Sequence, residues 1–413
     1  MKIAVVGAGI SGLVCAYLLS GVHDLTLYEK EERLGGHTNT VVVSHEGRSI
    51  PVDTGFIVFN ERNYPKFCTL LQRLGVASRP TTMSFSVRDS RSGFEYGGSS
   101  LAGVVGAWSN LLRPRWWSVM AGVATLGRTG AAEMADVGPD ATIGDLYQSG
   151  RFSRGFLDDY LVPMAAAIWS APREALLEFP ARFFLRFFDN HGMLDLRTRP
   201  QWRTVEGGSR TYIDAMMGTI GSASRTAQPV VRVRRGPDGV IVSTPAVDEL
   251  FDAVILATHA DQSLAMLADA TDAERRILSA MPYQANEAVL HTDERLLPRR
   301  RRCWAAWNYR LTSDPARPAA VTYNMTMLQG LGTRTPLCVT LNDTAEIGPA
   351  SIVRKFTYHH PLYTLAGDRA RAHWSEISGA SRTHYCGAYW GNGFHEDGVV
   401  SALRVCERLG ARL

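Results

Sequence analysis

A glycine-rich turn near the start of the chain is the feature that most restricts what this sequence can fold into. Residues 3–6 form a short β-rich run, and Gly7-Ala8-Gly9-Ile10-Ser11-Gly12 follows it directly. Residues 11–19 then have helical composition, and residues 25–28 predict a second strand. A strand, a tight glycine turn and a helix in this order are typical of a βαβ unit that binds a dinucleotide.

Each glycine of the turn has its own role in such a unit. Gly7 permits the sharp turn, Gly9 lets the backbone approach a pyrophosphate, and Gly12 lets the helix pack closely on the strand. The helix N-terminus offers unpaired N–H groups and the positive end of its dipole to the phosphates. Glu29 ends the second predicted strand 17 residues after Gly12. Its carboxylate is placed to accept hydrogen bonds from ribose hydroxyls, and it disfavours a 2′-phosphate.

The length and composition indicate a folded protein of two domains. The chain has 413 residues, which is more than one hydrophobic core usually fills. Hydrophobic residues make up 45% of it and charged residues 20%, which excludes a disordered or collagen-like chain. The net charge of +4 is too small to indicate nucleic acid, and we expect no such partner.

The cysteines and apolar segments indicate the compartment. The six cysteines are scattered, without a CxxC pair or ligand-like spacing to histidine, so we expect reduced thiols and no metal site. Glycines interrupt the apolar start of the chain, which argues against a signal peptide. No uninterrupted apolar stretch reaches the roughly 18 residues that a spanning helix needs. We therefore expect a cytoplasmic protein, with the surface of the inner membrane as the one membrane contact left open.

The order of elements predicts a nucleotide-binding domain built from three separated segments. Residues 60–75 have the spacing of an amphipathic helix, and residues 100–190 are mainly helical and aromatic. Two β-runs within residues 230–242 flank a turn, and residues 251–257 have the pattern of a buried strand. We assign residues 1–60, 200–275 and 376–413 to the nucleotide-binding domain, and residues 61–199 and 276–375 to an inserted second domain.

Several segments together resemble one superfamily of flavoproteins. Arg33-Leu34-Gly35-Gly36-His37 follows Glu29 closely, and Val52-Asp53-Thr54-Gly55-Phe56 comes shortly after it. They resemble the E…RxGG extension of the flavin-containing amine oxidase and phytoene desaturase superfamily, in which the arginine and the glycine pair hold the FAD pyrophosphate. Further segments resemble later FAD-contacting parts of that superfamily, in the same order: residues 206–208, 229–231, 257–259 and 386–399.

The resemblance implies an α/β fold and bound FAD. The fold would be a discontinuous, Rossmann-like FAD-binding domain with an inserted α+β substrate domain, as in amine oxidases. The implied FAD-binding residues are Gly7, Gly9, Ile10, Ser11, Gly12, Glu29, Lys30, Arg33, Gly35, Gly36, His37, Thr38, Gly55, Phe56, Val231, Ala257, Gly387, Glu396, Asp397, Gly398 and Val399.

Two departures from the superfamily pattern bear on the reaction. His37 stands where the superfamily usually has an arginine after the glycine pair. Amine oxidases usually carry a lysine near flavin N5 on a strand early in the returning substrate domain, but residues 282–291 contain no lysine. The second departure counts against amine oxidation.

A narrower resemblance is to a bacterial branch described only as predicted NAD/FAD-binding proteins. Members of that branch look like companions of cyclopropane-fatty-acid-synthase-type methyltransferases, and some are implicated in desaturating methylated fatty acyl chains on the way to furan fatty acids. The resemblance implies a hydrophobic or lipid substrate and a lipid methyltransferase as a partner. It is carried by residues 56–60, 167–170, 187–192, 286–293 and 386–398.

Candidate substrate and catalytic residues follow from the aromatic and polar groups in these runs. Residues 182–188 contain four phenylalanines, which either line an apolar tunnel or form a buried core helix. We select Trp169, Phe187, Trp390 and Phe394 as substrate-contacting residues. The candidate catalytic residues are His191, His395, Glu287 and Tyr309, for each of which an ordinary core or supporting role is the alternative.

Two further segments are of the kind that contacts membrane surfaces. Residues 111–117 place two tryptophans beside arginines, which is typical of an interfacial anchor or of a solvated helix end. Residues 299–302 are four consecutive arginines, which pair with anionic headgroups or form an exposed charged loop.

Three functions are the main candidates on this evidence, and other oxidations, such as those of carotenoid or porphyrin substrates, also remain open. The first is an FAD-dependent desaturase or oxidase of a methylated fatty acyl chain, with hydride transfer to flavin N5. The second is an amine oxidase acting on a small amine. The third is a non-catalytic flavin-binding accessory protein of a lipid-modifying enzyme.

Overall fold

A computed structural model describes residues 1–191, 200–311 and 320–413, and for residues 130–135 it describes the backbone only. Gly192, the last residue of the motif at 187–192, lies outside the described residues, as do parts of the assigned second domain.

The strands of the described chain are β1 (Lys2–Val6), β2 (Asp24–Tyr28), β3 (Thr40–His45), β4 (Arg48–Asp53), β5 (Phe59–Asn60), β6 (Ser78–Thr81), β7 (Phe85–Asp89), β8 (Phe94–Gly97), β9 (Trp202–Val205), β10 (Ser224–Arg225), β11 (Arg232–Gly236), β12 (Gly239–Ser243), β13 (Asp248–Phe251), β14 (Ala253–Leu256), β15 (Tyr283–His291), β16 (Trp307–Leu311), β17 (Val321–Asn324), β18 (Cys338–Leu341), β19 (Ile352–Pro361) and β20 (Thr383–Tyr385).

The α-helices are α1 (Ile10–Leu19), α2 (Pro65–Arg73), α3 (Leu101–Val105), α4 (Pro114–Asp136), α5 (Ile143–Gln148), α6 (Arg154–Phe156), α7 (Val162–Trp169), α8 (Arg173–Leu177), α9 (Ala181–Asn190), α10 (Arg210–Ile220), α11 (Ala260–Met266), α12 (Asp272–Ser279), α13 (Met325–Leu328), α14 (Leu365–Arg371), α15 (Trp374–Ile377) and α16 (His395–Arg408).

A five-stranded parallel sheet of order β10-β2-β1-β14-β20 connects the distant segments of the chain. In its centre, Val5 of β1 pairs with Leu27 of β2 on one side and with Ile255 of β14 on the other. Each of the three segments assigned to the nucleotide-binding domain supplies strands to this sheet. The carboxyl ends of parallel strands lie at one edge of a sheet, which is where open α/β sheets bind ligands.

Both faces of the parallel sheet are covered. On one face α1, α2, α10 and α16 pack around buried residues such as Leu13, Phe67 and Tyr212. On the other face α11, α12 and the antiparallel sheet β11-β12-β13 bury Val233 and Phe251. A parallel sheet buried on both faces is the arrangement of an α/β protein, so the predicted fold class is confirmed.

The prediction of a helix is confirmed where proline and glycine mark its two ends, whereas a predicted strand is interrupted. The helix predicted at residues 60–75 is α2, which starts at Pro65 and stops before Gly75, a residue with φ +66°. The strand predicted at residues 251–257 is divided in two. Asp252 separates β13 from β14, and its carboxylate accepts a hydrogen bond from the Lys2 backbone N–H at 2.7 Å.

The second large sheet belongs to the inserted segments. It has seven strands in the order β19-β15-β18-β17-β16-β7-β8. The hairpin of β3 and β4 packs against this sheet through a shared core that includes Val41, Val52, Leu290 and Val339. The hairpin therefore connects the N-terminal segment to the second sheet.

Helices α3 to α9 form a layer with its own core next to β7 and β8. The four phenylalanines of α9 are all buried, whereas Arg182 and Arg186 on the same helix are exposed. This burial agrees with both alternatives for residues 182–188, because the side chains that line a closed apolar tunnel are shielded from solvent like those of a core helix. None of the helices in the described part of the chain combines the length and apolar character needed to cross a membrane.

Candidate cofactor-binding and active site

The first glycine turn has the geometry that its sequence predicts. Gly7 has φ +97°, and its N–H donates to the Tyr28 carbonyl at 2.8 Å. A Cβ on Gly12 would lie 1.8 Å from the Gly7 carbonyl oxygen, so no side chain fits between α1 and the turn. A Cβ on Gly9 would meet no atom within 4 Å, which leaves space above the N-terminus of α1. The turn is therefore closely packed at Gly12, between α1 and the turn, and has open space at Gly9, beside the N-terminus of α1. Phosphate binding requires such open space next to the helix N-terminus.

Glu29 is buried beside this turn. One carboxylate oxygen accepts from the Ala8 N–H at 2.8 Å, and the other accepts from the Glu31 N–H at 3.0 Å. These bonds hold the carboxylate at the end of β2, next to the glycine turn. Lys30, the following residue, is exposed and lies 3.8 Å from the Glu31 carboxylate.

The second glycine pair packs directly on the first turn. The Gly35 N–H donates to the Ala8 carbonyl at 2.8 Å, and a Cβ on Gly36 would lie 3.2 Å from the Gly9 Cα. Both glycines have positive φ, +114° and +57°, which a larger residue rarely adopts. Arg33 closes this loop by donating from Nη1 to the Thr38 carbonyl at 3.4 Å.

Asp53 links two segments that resemble parts of the FAD-binding domain. Its carboxylate accepts from the Ser209 N–H at 2.9 Å and from the Gln329 side-chain amide at 3.0 Å. Burial raises the pKa of this carboxyl to about 6. Two residues further on, a Cβ on Gly55 would lie 2.1 Å from the His37 carbonyl oxygen, so the two loops touch through their backbones.

The C-terminal segment packs against the N-terminus of α1, which follows the first glycine turn. Ser11 Oγ donates to the Gly398 carbonyl at 2.9 Å, and a Cβ on Gly398 would lie 2.7 Å from Ile10 Cγ2. The Gly387 N–H donates to Ser401 Oγ at 3.1 Å, and Val399 is fully buried. The N-termini of α1 and α16 therefore lie side by side.

Glu396 and Asp397 have helix-capping roles that the sequence does not predict. Glu396 accepts from the backbone N–H groups of Lys66 and Phe67 at 2.9 and 2.8 Å, at the start of α2. Asp397 accepts from the Phe394 N–H at 2.9 Å, and burial raises its pKa to about 6. Both side chains are engaged with the protein's own backbone in the described structure.

His395 is buried among aromatic and polar side chains of the N-terminal, middle and C-terminal segments. Its ring stacks on Phe56 with centroids 3.6 Å apart, and its Nε2 lies 2.8 Å from the Tyr212 hydroxyl and 3.0 Å from Thr38 Oγ1. Burial lowers the pKa of His395 well below its usual value, so the ring is neutral. This geometry favours the supporting role, which is the alternative for His395, and its catalytic role stays a prediction.

His37 belongs to a group of rings contributed by segments that are far apart in the chain. It stacks on Tyr358 at 5.0 Å, and its ring lies 5.2 Å from His360 and 6.4 Å from His259. His259 in turn stacks on Tyr283 at 4.3 Å. Burial lowers the pKa of His37 to about 4 and that of His259 and His360 to about 3, so all three are neutral. We call His37, His259, His360, Tyr283 and Tyr358 the histidine cluster.

These residues fit FAD. The buried Nε2 atom of His37 has no hydrogen-bond partner among the described residues, and it lies in the loop that packs against Gly9. A neutral imidazole with a free nitrogen can bond to one polar atom of a cofactor, whereas the arginine usual at this position would bring a fixed charge. Ala257 lies against Gly7, because a Cβ on Gly7 would be 2.9 Å from the Ala257 carbonyl oxygen. Val231, another of the residues implied to bind FAD, is 53% exposed, and its N–H donates to the Ser243 carbonyl.

A second group of rings brings together three of the four residues selected for the substrate. Phe187 stacks on His191 at 3.8 Å and on Phe394 at 4.9 Å, and it lies 4.8 Å from Trp169. His191 also stacks on Trp202 at 6.1 Å. We call Trp169, Phe187, His191, Trp202 and Phe394 the aromatic cluster. It lies at the N-terminus of α16, where Phe394 immediately precedes the helix.

His191 is the one polar candidate within the aromatic cluster. Its Nδ1 lies 2.9 Å from the Phe187 carbonyl oxygen, so Nδ1 carries the proton and Nε2 the lone pair. Burial lowers its pKa to about 4. The Trp169 indole N–H is buried and has no acceptor within the described ranges.

The remaining sequence candidates lie elsewhere. Glu287 is exposed on β15, where it accepts from Thr344 Oγ1 at 2.6 Å and pairs with Lys355 at 3.8 Å, so it belongs to neither ring cluster and its catalytic role stays a prediction. Tyr309 on β16 packs at the edge of the helical core, and burial raises its pKa to about 12. Trp390 is buried against Tyr389 at 5.1 Å, in the core beside the antiparallel sheet and not in the aromatic cluster.

Sequence reasoning missed most of the histidine cluster. His360, Tyr283 and Tyr358 are not selected from the sequence, and His259 is included only as part of the segment 257–259 that resembles an FAD-contacting part of the superfamily. The one signal in the sequence is that His37 replaces the usual arginine. A neutral ring at this position requires different neighbouring side chains from those of a charged arginine. Among the described residues, no group of three or more His, Cys, Asp or Glu side chains is arranged to hold a metal ion.

Solved structures share this fold over nearly the whole chain. A cyclohexylamine oxidase from Brevibacterium oxydans IH-35A matches with a TM-score of 0.68 at 13% identity, covering 99% of each chain. A CLA-producing fatty acid isomerase from P. acnes matches with a TM-score of 0.66 at 18% identity, covering 99% of this chain and 98% of the other. A variant of putrescine oxidase matches with a TM-score of 0.69 at 14% identity, covering 99% of this chain and 98% of the other. At these identities the likeness shows the fold alone.

The sequence itself matches a family model over most of its length. The model describes the flavin-containing amine oxidoreductases and matches residues 10–345. None of the curated proteins compared with the sequence matches it. The glycine turns, the buried Glu29 and the paired helix N-termini agree with the cofactor of that family. The chain belongs to the flavin-containing amine oxidoreductase family and is an FAD-dependent oxidoreductase.

Proposed function

We propose that this protein oxidises an apolar acyl chain and that its substrate is a methylated fatty acyl lipid, which it desaturates. The observation that carries the proposal is the aromatic cluster, an uncharged group of rings at the N-terminus of α16. Rings of this kind bind hydrocarbon and exclude water. Of the cluster, Trp169, Phe187 and His191 are each less than 9% exposed.

The distribution of lysines supports an acyl substrate over an amine. All four lysines of the chain, Lys2, Lys30, Lys66 and Lys355, are exposed. Residues 282–291, where amine oxidases usually carry a lysine, have the buried Asn286 in the middle of β15. Its side-chain amide nitrogen lies 3.0 Å from His360 Nδ1. The chain thus lacks the buried lysine that the resemblance associates with amine oxidation. The solved neighbours include a fatty acid isomerase and amine oxidases, so the fold serves both substrate classes and does not choose between them.

The chemistry divides between the cofactor and the chain. FAD, when bound, supplies the acceptor for a hydride and its electron pair. The rings of the aromatic cluster would hold the acyl chain in position and keep water out. A methyl branch at the double bond stabilises the positive charge that develops on the allylic carbons, and ring faces add to this. His191 Nε2 would then take a proton from the carbon next to the positively charged allylic carbons. A weak base suffices, because a C–H group beside such a cation is strongly acidic.

The proposal extends to the source of the substrate. A methyl-branched acyl chain requires an enzyme that methylates unsaturated lipids, so we propose a lipid methyltransferase as the functional partner of this protein. The sequence resemblance to companions of such enzymes supports this pairing.

Anaerobic mixing of the purified holoprotein with candidate substrates tests the proposal. We expect methyl-branched unsaturated lipids to bleach the visible flavin band, and small amines to leave it unchanged. The variant His191→Gln should slow bleaching about 100-fold, the usual contribution of a general base. The matched control is His384→Gln, a histidine that is equally buried at 8% exposure but lies on β20. Bleaching by amines alone, or equal rates in both variants, would contradict the proposal.

A further inference from the structure

Four large apolar side chains are exposed on one short stretch of the helical layer. Leu101 is 89% exposed, Trp108 74%, Leu112 87% and Trp117 55%. They are four of the eleven large hydrophobic side chains that are exposed in the described part of the chain, yet they fall within 17 consecutive residues. Scattered exposed hydrophobic residues need no explanation, but a concentration of this kind marks an interaction surface.

The stretch is held firmly by the residues beneath it. The Trp116 indole N–H donates to the Val104 carbonyl at 2.9 Å, and that of Trp117 donates to the Leu111 carbonyl at 2.9 Å. Trp116 is buried and meets Trp117 edge-on at 4.8 Å. The exposed side chains therefore project from an ordered platform.

The arginine run lies against the same platform. A Cβ on Gly103 of α3 would be 2.6 Å from the Arg302 carbonyl oxygen, and Ser99 Oγ donates to the Trp304 carbonyl at 2.8 Å. Two segments that are 200 residues apart in the chain thus form one surface, which the sequence alone does not show.

The charge of this surface is positive. Arg299, Arg301 and Arg302 are exposed, while Arg300 pairs with the buried Glu95 at 2.6 Å. The exposed Glu294 lies 3.5 Å from Arg301 and offsets only one of these charges. No aspartate or glutamate occurs between residues 96 and 132. We call Leu101, Trp108, Leu112, Trp117 and the arginines at 299, 301 and 302 the docking surface.

We propose that the docking surface binds an anionic phospholipid bilayer. Tryptophan and leucine side chains insert at the headgroup level, and arginines pair with anionic headgroups beside them. The combination is complementary to a negatively charged interface. The buried core beneath the surface is continuous with the aromatic cluster, since Trp116 and Phe187 belong to the same core. This inference goes beyond the oxidation proposed above and does not depend on it.

Vesicle flotation with the holoprotein tests the docking surface without measuring turnover. We expect binding to vesicles of phosphatidylglycerol and phosphatidylcholine, weak binding to phosphatidylcholine alone, and loss of binding in high salt. Replacing two arginines in Arg301→Gln/Arg302→Gln should weaken binding about 25-fold, at about fivefold for each arginine near such a surface. Trp108→Ser/Leu112→Ser should abolish flotation at the same lipid concentration.

Matched controls change the same residue types elsewhere. They are Arg232→Gln/Arg234→Gln, two exposed arginines of β11, and Val247→Ser/Leu250→Ser, two hydrophobic side chains that are 48% and 51% exposed. Circular dichroism and flavin content show that each variant is folded. Equal binding of the docking-surface and control variants would overturn the proposal, and so would failure of the parent protein to float. A concentration-dependent dimer that Trp108→Ser/Leu112→Ser dissociates, with no flotation of the parent, would assign the surface to a second copy of the chain.

Discussion

Ser11 Oγ donates a hydrogen bond to the Gly398 carbonyl at 2.9 Å, and this contact joins the first helix of the chain to the last. The two residues are 387 positions apart. Because both lie in the first turns of their helices, the bond places two helix N-termini side by side. Paired N-termini concentrate unpaired N–H groups and positive dipole ends, which favours a bound anion such as a pyrophosphate.

Substitution of Gly398 should separate these helices. In Gly398→Ala the new Cβ would lie 2.7 Å from Ile10 Cγ2 and 3.1 Å from Ser11 Oγ, so α1 and α16 must move apart. We expect a loss of about 1–3 kcal/mol in unfolding free energy, together with a lower flavin-to-protein ratio. Urea unfolding and the visible absorbance measure the two effects. The control is Gly218→Ala in α10, where a Cβ meets no atom within 4 Å and should not destabilise the protein.

Alanine substitutions at Gly9 and Gly12 should have different effects, on FAD binding at Gly9 and on folding at Gly12. Gly12→Ala places a Cβ 1.8 Å from the Gly7 carbonyl oxygen, so the variant should be poorly folded. In Gly9→Ala the Cβ meets no protein atom within 4 Å, and the backbone angles of −71° and −179° suit alanine. We expect this variant to keep its thermal stability without flavin but to bind FAD at least about tenfold more weakly, or 1.4 kcal/mol. Unchanged FAD affinity in Gly9→Ala would show that the cofactor does not approach this turn.

Glu29 should matter for both the turn and the cofactor. In Glu29→Ala the N–H groups of Ala8 and Glu31 lose their acceptor, which we expect to cost about 1–3 kcal/mol for the buried donors. The flavin-to-protein ratio should fall with it. Glu31→Ala, which removes a carboxylate that is 60% exposed, serves as the control and should leave both quantities unchanged. Equal flavin retention in the two variants would count against a cofactor contact for Glu29.

His191 should make the protein less stable in acid. Its pKa is lowered from 6.5 to about 4 because burial disfavours the charged ring, so the unfolded chain binds more protons between these values. The free energy of unfolding contributed by this residue is therefore present above about pH 6.5 and is lost as the pH falls towards 4. His191→Phe keeps a ring but cannot be protonated, so between pH 7.5 and pH 5 it should lose about 2 kcal/mol less than the parent. Urea unfolding at the two pH values measures the difference, and identical losses in both proteins would contradict the burial of a neutral His191.

The FAD-binding region follows from the sequence because its geometry is local. The conformations of Gly7, Gly35 and Gly36 depend on the absence of a Cβ, and the helix and strands around them depend on neighbouring residues. The same reasoning places α2 between Pro65 and Gly75. The same reasoning does not extend to the surroundings of Glu287, because the residue types along β15 do not say which face of that strand other elements cover.

What the sequence by itself determined is therefore the glycine loops and the βαβ start of the fold, which depend on residue types that are close together in the chain. The α/β fold as a whole and the FAD cofactor followed from the resemblance of several segments to one superfamily, in the same order along the chain. Only the tertiary structure decided which side chains meet at the active site and on the surface. His37 reaches His259 and His360, Phe187 reaches Phe394, and Gly103 of α3 lies against the Arg302 backbone. Such contacts join residues that are hundreds of positions apart, and they arise from the packing of sheets and helices, which no local pattern of residues encodes.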